Sequence, residues 1–402
     1  PRGIKDGEWN KGFLTIANSA KAPILPIHID GRNSLFFYTL SIVAKPLSTF
    51  WLVHEMFKQE NKSIVFTIGE KIEHEIYHQH RVSSRDKAAL FRRHTYMLGA
   101  NKAPVFKTQE AIAHPECRQR LHKELRECEL LGETEDNKQI YLFNYRPDTS
   151  IMREIGRLRE ISFRAVGEGT GKRRDIDKYD SSYMNLILWD ENDLEIVGAY
   201  RLCDTNQAIS STGIEDIYTS TLFTYNKAMK PYLYRGLELG RSFVQPKYWG
   251  RRSLDYLWFG IGALLKRNPQ YRYLFGPVSI SNSYPQAAKD LLVYFYSLYF
   301  GSEEELVTAL TPYQLDWHQR DKLSQHFSGD DYKKDFTQLK TLLNMHGHSV
   351  PTLFKQYTEV TEHGGTVFSD FNIDPDFSDC IDGFVMVYTE QLKAKKRRRY
   401  IG

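Results

Sequence analysis

Between Phe163 and Asp180 the chain reads FRAVGEGTGKRRDIDKYD: three glycines, five cations (Arg164, Lys172, Arg173, Arg174, Lys178) and four carboxylates (Glu168, Asp175, Asp177, Asp180) in eighteen residues. Glycines beside a lysine suggest a phosphate cradle, but the spacing fails. A G-x-x-x-x-G-K-[ST] loop needs a glycine where Val166 stands and a hydroxyl where Arg173 stands. A dinucleotide fingerprint fails too, because these glycines follow a helical pattern and not a strand. What remains is a mixed-charge stretch, which could handle a different charged substrate. Arg164, Asp177 and Asp180, at the two ends, are candidates for holding such a substrate, with Gly167, Gly169 and Gly171 making a mobile lid between them.

Two other stretches carry chemistry. In LELGRSFVQP, Glu238 and Arg241 lie three apart on an expected strand, so they share a face only if a bulge intervenes. A strand carboxylate beside an arginine is either a structural ion pair or, once desolvated and raised in pKa, a general base. In YWGRRSLDYLWFGIGALL, Gly250, Arg251 and Arg252 run straight into a helix whose first N–H groups and dipole would face an anion. The pyrophosphate of coenzyme A or the phosphate of a phosphopantetheine arm fits there, and so does the plain start of a capped helix.

The elements that must position these residues are legible as patterns. QIYLFNY reads as a strand, SIMREIGRLREISFRAV as an amphipathic helix, and YMNLILWDENDLEIVGAYRLCD as a hairpin turning at Asp190, Asn192 and Asp193. A strand at RGLELGRSFVQ, a helix at RRSLDYLWFGIGALLKR, a strand at YRYLFGPVSIS and a helix at QAAKDLLVYFYSLYFG follow. This is an α+β pattern, a mixed sheet flanked by helices. Residues 1–75 give a partial α/β segment, 76–137 a polar helical connector, 138–390 the sheet domain and 391–402 a basic tail.

At 402 residues, 41% hydrophobic and 13% aromatic, the chain can bury sizeable cores. Four dispersed cysteines without C-x-x-C pairing indicate neither a disulfide framework nor a metal site, and suit a reducing, cytoplasmic setting. Lys45 and Pro46 interrupt the most apolar stretch, so no run is long enough to span a bilayer. Membrane contact is expected to be peripheral, on the inner face of the cytoplasmic membrane. Much of the net charge of +4 lies in KAKKRRRYIG, which can meet anionic lipid or a carrier protein, or be a solvated terminal charge run. Nucleic acid is not an expected partner. The chain opens on Pro1 and not Met, without a signal peptide, and is expected to begin inside a longer protein.

In this order, DIDKYD, VGAYRL, LELGRSFVQP, LWFGIGALL and YLFGPVSIS resemble the acyl-carrier-dependent branch of the GNAT superfamily. The nearest resemblance is to the ornithine-lipid N-acyltransferases, also called hemolysin-like, with the acyl-homoserine-lactone synthases more distant. It extends over residues 138–390, where HSVPTLFKQYTEVTEHGGTVFSDFNIDPDFSD resembles the family's acidic, aromatic end. GIKDGEWNKGFLTIANSAKAPILPIHIDGRNSLFFY resembles the second half of a lysophosphatidic-acid acyltransferase domain. That family's His-x4-Asp motif would lie upstream of Pro1, so residues 1–75 are expected to have no O-acyltransferase activity of their own. The two parts in this order resemble bifunctional ornithine-lipid synthases.

The resemblance implies a GNAT-like fold and transfer of a (3-hydroxy)acyl chain to the α-amine of ornithine or a similar amino acid. It implies no permanently bound cofactor and no metal; the donor is a phosphopantetheine thioester on acyl carrier protein, or acyl-coenzyme A. On this reading Arg164, Arg201 and Arg241 hold the acceptor's carboxylate, while Asp177, Asp180 and Glu238 draw its ammonium groups. Glu238 is the general base, with Arg241 beside it in the catalytic pair. The backbone of Phe243, Val244 and Gln245 lines the pantetheine arm, one N–H there stabilising the oxyanion, and Gly250, Arg251 and Arg252 receive the phosphate. Two readings stand against it. One is a non-catalytic module that docks on membrane or carrier. The other is an acetyl-coenzyme-A enzyme of the same superfamily, which predicts a Q/R-x-x-G-x-G/A loop where YWGRRSL has one glycine.

Overall fold

A computed structural model describes residues 6–402 apart from 59, 61, 62, 80, 81 and 107. The reading of Pro1 as an internal start lies outside the described residues. Two units are resolved, Pro1–Ala111 and Ile112–Gly402. In the first, β1 (Ile27–Asp30) and β2 (Val65–Ile68) form an antiparallel ribbon accompanied by helices α1 (Gly12–Ala20), α2 (Leu35–Val43), α3 (Lys45–Phe57), α4 (His74–Gln79) and α5 (Ser84–Gly99). Leu14, Ile72, Tyr77, Phe91 and Phe106 make its core. Tyr77 and Phe91 thus bind α4 and α5, which the sequence presents as connector, into this unit. On α2 and α3, Ile42, Val43 and Phe50 are exposed.

The second unit begins with α6 (Arg118–Leu125), the antiparallel strands β3 (Glu129–Glu133) and β4 (Lys138–Asn144), and α7 (Ser150–Ala165). The expected hairpin follows as β5 (Met184–Asp190) and β6 (Glu195–Asp204). Then come α8 (Thr205–Ser211), β7 (Phe223–Tyr225), α9 (Lys230–Leu233), β8 (Gly236–Val244), α10 (Ser253–Arg267), β9 (Tyr273–Ile280) and α11 (Gln286–Phe300). The remainder is β10 (Val307–Ala309), α12 (Trp317–Ser324), α13 (Tyr332–Met345), α14 (Thr352–Glu359), β11 (Thr366–Asp374), β12 (Cys380–Tyr388) and α15 (Ala394–Tyr400). Eight strands form one sheet in the order β11-β12-β9-β8-β6-β5-β4-β3, antiparallel throughout except for β8 with β9. This is the mixed α+β architecture that the alternating patterns imply.

Apolar residues cover both faces of the sheet, which is why NLILW reads as a continuous apolar run. Leu186 and Leu188 pack into the core with Leu257 and Ile261 of α10, whereas Ile187 and Trp189 pack with Ile155 and Leu158 of α7. Two local features shape the middle of the sheet. First, β8 and β9 pair only from Gly236 to Glu238 against Tyr273 to Phe275, although both strands continue. Second, the β6–β8 register shifts between Ala199 and Arg201, and Arg241 has φ 46°. That is the bulge which lets Glu238 and Arg241 share a face.

The segment read as a basic tail is instead a helix folded on α10. A Cβ on Gly262 would lie 2.0 Å from the Tyr400 carbonyl oxygen, so only glycine permits this approach.

Candidate active site

Where β8 and β9 part, a cavity of about 420 Å³ opens. Its wall includes Arg241 and Ser242 of β8, Ser279 of β9, Asp382 of β12 and Glu168 from the loop after α7. Asp382 is 2% exposed. Its Oδ1 accepts the Ser279 hydroxyl at 2.6 Å and lies 3.7 Å from the Cys380 thiol. Burial pushes its carboxyl up to about 7, against the pull of Ser279 and Arg241 and with Asp374 adding to the rise. Glu168 is partly exposed as a residue, yet its carboxyl is enclosed, and burial followed by the nearby Asp382 raises it to about 8. Neither residue carried a role in the sequence reading. The signal for Asp382 was a lone carboxylate in the otherwise apolar strand CIDGFVMVY.

Beside the cavity, three arginines and three aspartates are knitted together. Asp177 and Asp180 form a capping box on the 3-10 turn Lys178–Ser181. Arg159 of α7 binds Asp180 at 2.7 Å and the Asn185 side-chain oxygen at 2.7 Å. Arg201 binds Asp177 at 2.6 Å and Asp180 at 3.3 Å, its guanidinium 5.0 Å from the ring centre of Tyr183 and 5.1 Å from that of Tyr218. Burial alone would raise Asp180, but Arg159 and then Arg201 outweigh it and hold the carboxyl at about 2. Arg241 reaches Asp175 at 3.2 Å, Asp177 at 3.4 Å and the Tyr218 hydroxyl at 3.1 Å. Burial opposes its charge, and Asp175, Tyr218 and Asp177 more than restore it.

The cluster brings Arg201, Arg241, Asp177 and Asp180 together as the sequence implied, but only Arg241 of these lines the cavity. Arg201 and Asp180 are sealed from solvent and paired at 3.3 Å, while Nε and Nη2 of Arg201 have no hydrogen-bond partner among the described residues. Arg159, absent from the sequence candidates, completes the charge balance. Its signal was a position on the buried stripe of α7 with Ile151, Ile155, Leu158 and Ser162.

Two of the expected site residues, Glu238 and Arg164, do not line the cavity. Glu238 is 1% exposed and does not wall the cavity; its Oε1 accepts the Thr219 amide at 2.7 Å and hydroxyl at 2.6 Å, and its Oε2 accepts the Tyr183 hydroxyl. It ties the segment around Thr219 to β8. Arg164 pairs not with the cluster but with Glu160 at 2.7 Å, and donates to the Lys172 carbonyl at 2.6 Å. The buried Glu160 also accepts the Thr170 hydroxyl at 2.6 Å and the Gly171 amide at 2.8 Å. The glycine loop is therefore pinned, not a free lid. A Cβ on Gly169 would lie 2.4 Å from Arg164 Cγ, so that glycine serves close packing.

On the donor side, Phe243 is buried in the α7 core, the Gln245 amide donates to the Val197 carbonyl at 2.9 Å, and the Gln245 side chain donates to the Ile196 carbonyl. The Val244 carbonyl accepts the Trp249 indole N–H at 2.7 Å. These groups are engaged within the fold, and the β8 residues that reach the cavity are Arg241 and Ser242, nearer the bulge than expected. Gly250 has φ 74°, Arg251 and Arg252 are exposed, and among the described residues no side chain caps the first turn of α10.

Residues 158–259 match the family described as Acetyltransferase (GNAT) domain. A glycine N(alpha)-acyltransferase of Bacteroides thetaiotaomicron is 35% identical over 305 residues, covering 73% of this chain and 90% of that protein. A lyso-glycine lipid O-acyltransferase of the same organism is 40% identical over 75 residues, 17% of this chain and 28% of that protein. An L-ornithine N(alpha)-acyltransferase of Brucella abortus is 32% identical over 144 residues, 32% of this chain and 50% of that protein. With its GNAT match and nearly full-length likeness to the first of these, the chain belongs to the aminolipid acyltransferase family and is an acyltransferase, with an N-terminal part that is O-acyltransferase-like.

Proposed function

We propose that the cavity between β8 and β9 is where the α-amine of an amino acid takes an acyl chain from a thioester, as a step of aminolipid synthesis. The observation that carries this reading is the gap itself: two parallel strands part around a wall that holds a titratable buried carboxyl, Asp382, and a fixed cation, Arg241. Arg241 orients the acceptor's carboxylate. Asp382, in place of Glu238, takes the proton from the ammonium group, its pKa near neutrality matching the work of a general base. The freed amine attacks the thioester carbonyl, the C–N bond forms and the C–S bond breaks. The departing thiolate takes up the second proton, which the nitrogen gives up as the amide forms. The backbone at the Arg241–Ser242 bulge supplies the oxyanion donor.

The favoured acceptor is glycine, because the relatives with nearly full-length likeness bear that name. Ornithine is the second reading, favoured by Glu168: a second carboxyl in the cavity suits a second ammonium group. The favoured donor is a (3-hydroxy)acyl chain on acyl carrier protein, with acyl-coenzyme A as the alternative. Peripheral seating on a membrane suits a lipid product; no helix of the described residues is long and apolar enough to cross one, and α2 and α3 expose Ile42, Val43 and Phe50. The test incubates the protein with both donors and a panel of amino acids and reads N-acyl products by mass spectrometry. N-acylglycine is expected. Loss of N-acylornithine alone in Glu168→Gln would support the second reading, and no N-acyl amino acid from either donor would overturn both.

A further inference from the structure

The most concentrated charge outside the cavity lies on α15, and the fold does not leave it as a loose tail. Five cations, Lys395 to Arg399, occur in its seven residues. Tyr400 is 7% exposed, packs into the main core and donates its hydroxyl to Asp255 Oδ1 at 2.7 Å. Arg399 binds Asp255 Oδ2, and Arg252 approaches the same oxygen at 3.7 Å. Arg397 is tied to the Thr389 carbonyl at 2.8 Å. Asp255 of α10 therefore clamps the C-terminal helix beside the Gly250–Arg252 turn, whose exposed arginines suit the phosphate end of a thioester donor.

The result is one basic surface on two elements. Arg251, Arg252, Lys395, Arg398 and Arg399 are exposed, and among the described residues no carboxylate pairs with Arg251, Lys395 or Arg398. Consecutive like charges repel one another, so ordering them on a docked helix is worthwhile where an anionic partner meets them. A carrier-borne thioester imposes a geometric condition: the carrier must sit where its phosphopantetheine arm enters, and here the basic surface adjoins that turn.

We propose that α15 and the turn before α10 form a docking surface for an acidic acyl carrier protein that presents the thioester. This inference rests on the thioester-transfer reading. The surface selects the donor by its protein part, so it acts on carrier-bound chains and not on acyl-coenzyme A.

The experiment compares the wild type with the double variant Lys395→Glu/Arg398→Glu, neither residue touching the cavity. Circular dichroism and thermal melting confirm that it is folded. The kinetics of acyl-carrier protein and of acyl-coenzyme A are measured at low and high salt, together with binding of labelled holo-carrier by fluorescence anisotropy. KM for the carrier donor is expected to rise about tenfold, holo-carrier binding to weaken in parallel, and the salt dependence of both to flatten. kcat/KM for acyl-coenzyme A should stay within about twofold, as steering by rim charges predicts. Unchanged carrier binding, or an equal loss with both donors, would overturn the docking surface. So would loss of binding to anionic phosphatidylserine vesicles without change toward the carrier, which would make the patch a membrane contact. A wild type that binds holo-carrier but transfers from neither donor would instead overturn the transfer reading and leave docking supported.

Discussion

Replacing Asp382 with Asn should make the protein more stable at alkaline pH and nearly inactive. The carboxyl rises from 3.8 to about 7 on folding. That is roughly three units, and at ~1.4 kcal/mol each the ionised group costs the folded state about 4 kcal/mol relative to an unperturbed one. The folded carboxyl holds its proton more tightly than the unfolded one. Its contribution to stability is therefore complete below pH 3.8, falls as pH rises toward about 7, and is level above that. An Asn oxygen can still accept the Ser279 hydroxyl, so Asp382→Asn should gain a few kcal/mol at about pH 8.5, less about 1 if that bond weakens. The gain should shrink by more than half at about pH 5, where the folded wild-type group is protonated. Urea denaturation at both values, followed by near-ultraviolet circular dichroism, measures this. In the same variant kcat/KM should fall by about 10²- to 10⁴-fold and lose the acid limb near neutrality. A variant less stable at both pH values, or one that keeps the wild-type pH profile, would refute the reasoning.

Asp180→Asn leaves Arg159 and Arg201 without their shared buried carboxylate, and should lower the urea-unfolding free energy of the second unit by about 3–5 kcal/mol. In the wild type the same group contributes stability above pH 3.8 that is lost as the solution is acidified toward about 2, so acid unfolding should shift upward in pH in the variant. Glu160→Gln removes the charge that gathers Thr170, Gly171 and Arg164, and hydrogen exchange should show faster amide exchange across 169–172. Arg241→Lys cannot reproduce the guanidinium fork, so KM for the amino acid should rise about tenfold with a smaller change in kcat, read by steady-state kinetics.

Local pattern carried most of the fold. The hairpin at 184–204, the strands at 236 and 273 and the helices at 253 and 286 form as read, because apolar spacing and turn residues agree at each. Where the strands part was not legible, since pairing that stops after Glu238 is a tertiary event with no local signature. The site was legible as a cluster and illegible in its assignment of roles. Glu238, Asp180 and Arg201 come into the neighbourhood of the cavity, but all three are buried and none lines it. Asp382 reaches the cavity only because β12 is added beside β9, more than a hundred residues downstream in the chain. The glycine stretch looks mobile until Glu160, on the helix before it, is seen to hold it.

The central claim is that the acyl donor lies between the parted strands. A crystal structure with a non-hydrolysable acyl-coenzyme A thioether and glycine tests it directly. The pantetheine arm is expected between Ser242 and Ser279, its phosphate end at Gly250–Arg252, and the glycine nitrogen within hydrogen-bond reach of Asp382. An arm bound elsewhere, with the gap between β8 and β9 empty, would contradict it.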